Sequence, residues 1–582
     1  MAENQKKEEV VVQGAKWEWS EMWKKEDWWA IWLGAIILVV GLIIFLPRPP
    51  ADMDAKIAKA QETMAKEKAK APFDTIDWHR ANDTLSGLRA RDGAHGKTIA
   101  AWLSTPSRWT DNPIGSLYLS EADAAKRRDA AAPRHKAAQE KTAAAMTQAK
   151  AAQDEAAAAE FKNGELNKKA EAAIAAWRTD RGKERSARTA ATVQGYNRVP
   201  YLIGVMVIFM LFFAIGAKFM GVKPGRFILG FWVVFLLAVV AGIVGQQKTL
   251  SEYGFGDIIW AIGLGMLISN TVGTPKFARP ALMTEYFIKT GLVLLGAEIL
   301  FQNLVAIGTP GIFVAWVVTP TVLIVTYWFG QNILKIESKT LNITVSADMS
   351  VCGVSAAIAT AAACRAKKEE LTIAIGISML FTAIMMIAMP AFIKAVGMHP
   401  VLGGAWIGGT IDSTGAVVAA GAVLGDVGMF VAATVKMIQN ILIGVIAFGV
   451  AVYWCTKVDC LPGQHVSKME IWYRFPKFVL GFIAASIIFS FIISAMGKAG
   501  DVMIDQGVLR GFTRPLREWF FLLAFASIGL STNFREMAHY FKGGKPVILY
   551  VCGQSFNLAL TLAMAYVMFF LVFPEITAGL TK

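Results

Sequence analysis

Two short segments of this chain place chemically capable side chains inside otherwise apolar sequence. The first reads Ser346-Ala-Asp348-Met-Ser350-Val-Cys352-Gly353-Val-Ser355-Ala-Ala. The second reads Gly408-Gly-Thr410-Ile-Asp412-Ser413-Thr414-Gly415-Ala-Val-Val-Ala-Ala. Each groups glycine, small hydroxyls and one carboxylate, and each leads into an Ala-rich stretch of helical composition. A helix that restarts at such a cluster exposes unpaired first-turn N–H groups and a positive dipole end, a holder for a small anion. At membrane depth such a break is tolerated only where it faces protein or a water-filled cavity. On this reading Ser350, Cys352, Gly353 and Ser355 supply one set of contacts, and Thr410, Ser413, Thr414 and Gly415 the other. Asp348 and Asp412 hold a coupling cation, Na+ or H+.

A second set follows in Val435-Lys436-Met-Ile-Gln439-Asn440. Lys436 and Asn440 are four residues apart, so they share a helix face. A lysine at bilayer depth costs on the order of 2.5–3.5 kcal/mol on insertion scales, which argues against a lipid-facing position. It neutralises the anion, or pairs with Asp412 or Asp348. Blander readings stand beside these. Both segments could be small-residue packing seams, with Gly404-x-x-x-Gly408 as one, and Lys436 could snorkel from a span end. Glu298 and Asn270 are weaker candidates for a pathway or a cap. Cys455, Cys460 and His465 make a poor metal set, and no metal site is expected. No nucleophile–base pair or phosphate loop stands in a credible context, so an enzyme is not expected.

The elements that must position these residues are membrane helices. The chain has 582 residues, 55% hydrophobic and 18% charged, with mean hydropathy +0.45. A soluble chain would carry about 25% charged residues. Apolar runs near 28–46, 200–219, 226–246, 257–271, 287–301, 311–330, 371–393, 428–454, 478–497, 518–530 and 547–573 predict about eleven spans, with the two interrupted segments as broken or re-entrant helices. The expected fold is an all-α polytopic membrane protein. Shifted by 62 residues, Gly353 meets Gly415, Ala357 meets Ala419 and Thr372 meets Thr434. Paired broken segments of this kind point to a transporter site.

Three regions follow. Residues 1–47 hold Trp17, Trp19, Trp23, Trp28, Trp29 and Trp32, an interfacial helix running into a first, uncleaved membrane anchor. Residues 48–198 form one soluble insertion, Ala-, Lys- and Glu-rich, which predicts long helices with little large-side-chain core. Residues 199–582 form the membrane region. Of the net charge of +14, about half lies in the insertion and the rest in short loops, the pattern of topology signals rather than of a nucleic-acid groove. Lys218, Lys223 and Arg226, then Lys276, Arg279 and Lys289, then Lys335 and Lys339 mark alternate loops. The positive-inside rule puts these loops and the N-terminus in the cytoplasm, and the insertion outside the inner membrane. Arg510, Arg514 and Arg517 fit this less well.

From about Gly291 to Asp426 the chain resembles the sulfate exporter family of bacterial multi-pass membrane proteins. The marks are Gly291-Leu-Val-Leu-Leu-Gly296, Cys352-Gly353-Val-Ser355-Ala-Ala, Lys368–Glu370 and Val417-Val-Ala-Ala-Gly-Ala-Val-Leu-Gly-Asp426, with Val435-Lys436 and Ser527-Ile-Gly-Leu530. The resemblance extends over roughly residues 200–575. It implies inverted repeats with crossed broken helices, elevator-like movement, and a small inorganic or sulfonated anion as substrate. This chain departs from the pattern where members carry a His-Glu pair, having Asp412-Ser413 instead. The 48–198 insertion is a further departure.

The expectation is a secondary transporter moving a small oxyanion, sulfate or a related sulfur anion, between the two broken helices. The alternatives are an anion channel, or a membrane sensor that uses the insertion. The expected partners are that anion and the lipid bilayer, with a homo-oligomer open, no nucleic acid, and no cofactor besides the coupling Na+ or H+.

Overall fold

The computed structural model describes residues 18–253, 255–458, 468–537 and 544–580. Trp17, Cys460 and His465 lie outside the described residues. Helices dominate: α1 (Glu26–Phe45), α2 (Glu121–Ala158), α3 (Gly164–Ala191), α4 (Val199–Phe219), α5 (Pro224–Gly245), α6 (Asp257–Thr271), α7 (Thr284–Glu298), α8 (Phe301–Trp316), α9 (Val318–Asn332), α10 (Lys339–Ser350), α11 (Val354–Cys364), α12 (Lys368–Ala395), α13 (Pro400–Thr410), α14 (Thr414–Val423), α15 (Asp426–Tyr453), α16 (Phe478–Met496), α17 (Arg514–Ser531) and α18 (Lys545–Tyr566).

Among the described residues, eight helical segments are long and apolar enough to cross a membrane: α1, α4, α5, α8 with α9, α12, α15, α16 and α18, the last and α15 with their short extensions. The chain is a multi-pass membrane protein. Three further expected spans correspond to α6 and α7, of 15 residues each, and α17, of 18. Fifteen residues rise only about 22 Å, short of a hydrocarbon core of about 30 Å. In α7 every residue from Tyr286 to Ala297 is buried, so this helix is sheathed by protein all round.

Between α1 and α4 lies the insertion. Its long part is the antiparallel pair α2–α3, where Ala149, Ala152 and Ala156 face Ala170, Ile174 and Trp177. Small side chains on one partner let the two backbones approach closely. Its root is sewn to the membrane helices. The Trp109 N–H donates to Gln246 O at 3.2 Å, its carbonyl accepts from the Lys248 N–H at 2.9 Å, and its Nε1 donates to Ile243 O at 2.6 Å. From the other side, Trp519 Nε1 donates to Leu103 O at 3.2 Å.

The two interrupted segments fold back on themselves. At the base of α10–α11, Thr340 Oγ1 donates to Glu370 Oε2 at 2.8 Å, and Ser338 donates to the other oxygen. Thr344 Oγ1 and Cys364 Sγ lie 3.9 Å apart. The start of α10 and the end of α11 therefore stand together, at the beginning of α12. In α13–α14, a Cβ placed on Gly403 would lie 3.0 Å from Leu424 Cδ1, and one on Gly404 would lie 2.5 Å from Gly428 O. These two ends also stand together, at the far end of α12. The pair are two re-entrant hairpins, set at opposite ends of one 28-residue helix, with their tips meeting midway. Of the two forms expected for the interrupted segments, broken or re-entrant, the re-entrant one is what forms.

The 62-residue shift holds at the level of elements: α10, α11 and α12 correspond in order to α13, α14 and α15. Because α12 and α15 run in opposite senses between the hairpin bases, the repeat is inverted.

Candidate functional site

The first tip is Val351-Cys352-Gly353. Gly353 has φ +60° and ψ −125° and caps α11 without a side-chain hydrogen bond. This backbone conformation favours glycine. Space demands it as well: a Cβ there would lie 3.2 Å from Asp412 Cβ, 3.2 Å from Ser378 Oγ and 3.5 Å from Asp348 Oδ1. One α-carbon thus marks the convergence of both hairpins with the middle of α12.

The second tip is Ile411-Asp412-Ser413. Ser413 caps α14, again without a side-chain hydrogen bond. Asp412 is buried, and its Oδ2 accepts from Ser378 Oγ at 2.8 Å and from the Tyr550 hydroxyl of α18. Its Oδ1 has no hydrogen-bond partner. Asp348 is wholly buried, and neither carboxylate oxygen has a hydrogen-bond partner.

Lys436 is buried in the middle of α15. It donates to Val351 O at 2.6 Å and to Gln439 Oε1 at 2.7 Å. Of the roles considered from sequence, direct pairing with Asp412 or Asp348 is not what the geometry shows, and snorkelling is excluded by this position. The ammonium caps the carbonyl end of α10, where the helix dipole favours a cation. Gln439 Nε2 then donates to Thr319 Oγ1 at 3.0 Å, Ser350 O at 3.0 Å and Gly409 O at 3.2 Å, so one side chain holds both tips. Asn440 Nδ2 donates to Thr414 Oγ1 at 3.1 Å, and its Oδ1 has no partner.

The remaining candidates divide by exposure. Cys352 and Thr410 are buried, and the Thr410 hydroxyl is unpartnered. Ser350 is buried with its hydroxyl turned to Ala347 O at 3.4 Å, so it offers its carbonyl rather than its Oγ to the centre. Ser355 is exposed and Ser413 half-buried, at the first turns of α11 and α14. Gly415 lies at the start of α14, where a Cβ would find Ile288 and Ile528 at 3.5 Å and Thr284 at 3.6 Å. Gly404 and Gly408 are indeed a packing seam, since Cβ atoms there would strike the backbone of α15. Glu298 accepts from Arg517 Nε at 2.8 Å as a buried ion pair between α7 and α17, away from the tips. Asn270 bonds Thr532 O at 3.0 Å and the Phe534 N–H at 2.7 Å, closing the end of α17.

Sequence reading missed the polar face of α18. Tyr550, Gln554, Asn557 and Thr561 lie at spacings of four, three and four residues, one helical stripe in an apolar span. Gln554 Nε2 donates to Thr410 O at 2.9 Å, and Asn557 Nδ2 to Met349 O at 3.4 Å. Ser378 was missed too. A single small hydroxyl with only Thr382 four residues on, it gives too short a polar pattern on α12 to stand out.

Residues 229–550 match the family model described as conserved hypothetical protein 698. The chain belongs to this family. The match takes in both hairpins and ends at Tyr550, and it leaves out the insertion. Within this family, a UPF0324 membrane protein of Nitratidesulfovibrio vulgaris is 59% identical over 579 residues, spanning 99% of this chain and 100% of its own length. The insertion is therefore shared with that relative. A UPF0324 membrane protein of Rhodopirellula baltica is 59% identical over 378 residues, 65% of this chain and 69% of its own. One of Nitrosomonas europaea is 28% identical over 400 residues, 60% of this chain and 80% of its own. No solved structure matches.

Proposed function

We propose that this protein is a secondary transporter, with no catalytic role, whose substrate binds where the two hairpin tips meet. The observation that carries the reading is that meeting: two inverted re-entrant hairpins bring helix breaks, buried carboxylates and a buried lysine to one point. Irregular backbone at membrane depth needs a polar cavity or protein to face, and transporters use it at midplane sites.

The substrate in this reading is a small anion. The first turns of α11 and α14 begin at the tips with no side-chain cap, and their N–H groups are anion donors. Ser355, Ser413 and Thr414 stand on those turns. Thr414 Oγ1 accepts from Asn440, which leaves its own proton free to donate. Asp348 and Asp412 take the coupling ion. The resemblance in sequence points to sulfate or a related sulfur oxyanion.

The topology in this reading has eleven crossings and two hairpins, in the inner membrane. Lys335, Lys339, Arg365, Lys367 and Lys368 cluster at the base of the first hairpin, which the positive-inside rule makes cytoplasmic. The second hairpin and the insertion then face outward. Arg510 and Arg514 lie on that outer side, matched by Asp505, Asp426 and Glu518. Their excess charge is neutralised locally, which accounts for their poor fit to the rule. Alternating access follows if the hairpins move with α12, α15 and α18 against α1, α6, α7, α16 and α17.

Purified protein in liposomes, given sulfate, sulfite, thiosulfate and small sulfonates with and without Na+ and pH gradients, tests this reading. Saturable uptake of one of these anions supports it. Absence of flux for the whole panel refutes the assigned substrate class.

A further inference from the structure

We propose that the coupling ion is a proton carried by the Asp348–Asp412 pair, and that Na+ is excluded because the tip carbonyls it would need are already occupied. The proposal rests on the transport reading above and specifies its energy source.

The first observation is the pair itself. Asp348 lies wholly buried with both oxygens unpartnered, and Asp412 keeps one oxygen unpartnered. Two carboxylates that converge on Gly353 cannot both stay charged cheaply away from water. One proton shared between them removes the repulsion and turns an orphaned acceptor into a donor. Asp412 Oδ2 is held by Ser378 and Tyr550, which fixes its orientation and leaves Oδ1 for that proton.

The second observation is independent. At broken helices, Na+ is held by unwound carbonyls and by the carbonyl ends of the half-helices. Here those ends are closed by resident donors. Val351 O accepts from Lys436, Ser350 O and Gly409 O from Gln439, and Thr410 O from Gln554. The Lys436 ammonium stands where a bound cation would take its carbonyl. An added Na+ would meet a fixed positive charge and, apart from side-chain oxygens, carbonyls that already serve resident donors. A proton needs only the carboxylate.

The groups facing the pair are Ser378 from α12, Tyr550 from α18, Lys436 from α15 and Cys352 from the first tip, with Glu285 of α7 beyond Cys352. Lys436 faces Asp412, which offsets the second negative charge that the pair acquires when the proton leaves. Loading and unloading then change the pair between neutral-plus-anionic and doubly anionic, a change to which a second anion at the adjacent N-termini would respond.

Two measurements on the full-length protein test this. In the first, the infrared carbonyl stretch of a protonated carboxyl is followed in lipid against pH. A band that is lost on raising pH, is absent in Asp348→Asn, shifts in Tyr550→Phe, and is unchanged when NaCl replaces choline chloride, supports the proposal. Absence of the band at every pH, or its loss on adding Na+, overturns it. This readout needs no substrate, so it stands even if the anion panel fails. In the second, vesicles loaded with a pH-sensitive dye receive a sulfate or thiosulfate gradient in Na+-free medium. A lumenal pH change that accompanies anion movement in wild type and is lost in Asp348→Asn is expected. Anion flux that requires Na+ and moves no proton overturns proton coupling but leaves transport standing.

Discussion

Lys436 Nζ donates to the carbonyl of Val351 at 2.6 Å, across from α15 to the tip of the first hairpin. A buried ammonium bonded to a carbonyl and to Gln439 acts as a helix clasp as well as a charge. Removing it leaves Val351 O and Gln439 Oε1 buried and unpaired, each at about 1–3 kcal/mol. Lys436→Met should therefore lower the thermal midpoint and abolish flux together. Adding Asp412→Asn should not restore flux, because no ion pair links the two. Melting curves and uptake for the single and double variants check this; recovery in the double variant would show a direct pairing.

The two tip glycines should behave differently. Gly353→Ala places a methyl among Asp412, Ser378 and Asp348 and forces a positive φ on alanine, at about 1–3 kcal/mol. Flux should be lost while protein still reaches the membrane. At Gly415 the nearest atoms are 3.5 Å from a Cβ, so Gly415→Ala should retain most flux and Gly415→Leu should lose it. Uptake normalised to membrane protein distinguishes them.

Hairpin topology makes a labelling pattern. Single cysteines at Glu337 and Glu369, both exposed near the base of the first hairpin, should react with an impermeant thiol reagent from the same side. In the proposed orientation that side is the cytoplasm, and cysteines at Ala130 and Val396 should react from outside intact cells. Through-going crossed helices would place Glu337 and Glu369 on opposite sides.

The breaks at Gly353 and Asp412, their 62-residue correspondence and the lysine helix after them were legible from residue type and spacing, while the inversion came only with the family resemblance. The folding back was not. Helices of 12 and 11 residues around a break fit either one crossing or a hairpin of half the depth. What decides is the contact of Ser338 and Thr340 with Glu370, about thirty residues on, a tertiary fact. The partner of Lys436 was hidden for another reason. It is a backbone carbonyl, and carbonyls are the same in every residue. The Tyr550–Thr561 stripe is legible by its spacing of four, three and four residues within an apolar span.

The α18 stripe provides its own test. Gln554→Leu leaves Thr410 O unpaired beside Asp412, so flux should fall several-fold at unchanged expression. Gln554→Glu keeps the size and adds an acceptor where a donor is needed, and it should fall further. Uptake at several pH values measures both.

The central claim is that an anion rests against the N-terminal turn of α14 at the tips. Asn440→Asp tests it most directly, because Asn440 bonds Thr414 on that turn and the change puts a negative charge there with almost no change of shape. Anion binding to the purified protein is measured by calorimetry for wild type and variant, with the sulfur oxyanion that gives the strongest wild-type signal. The account predicts at least a tenfold weaker affinity in Asn440→Asp, equivalent to about 1.4 kcal/mol, in protein that still melts in one cooperative transition. Equal affinity in the two proteins would contradict it.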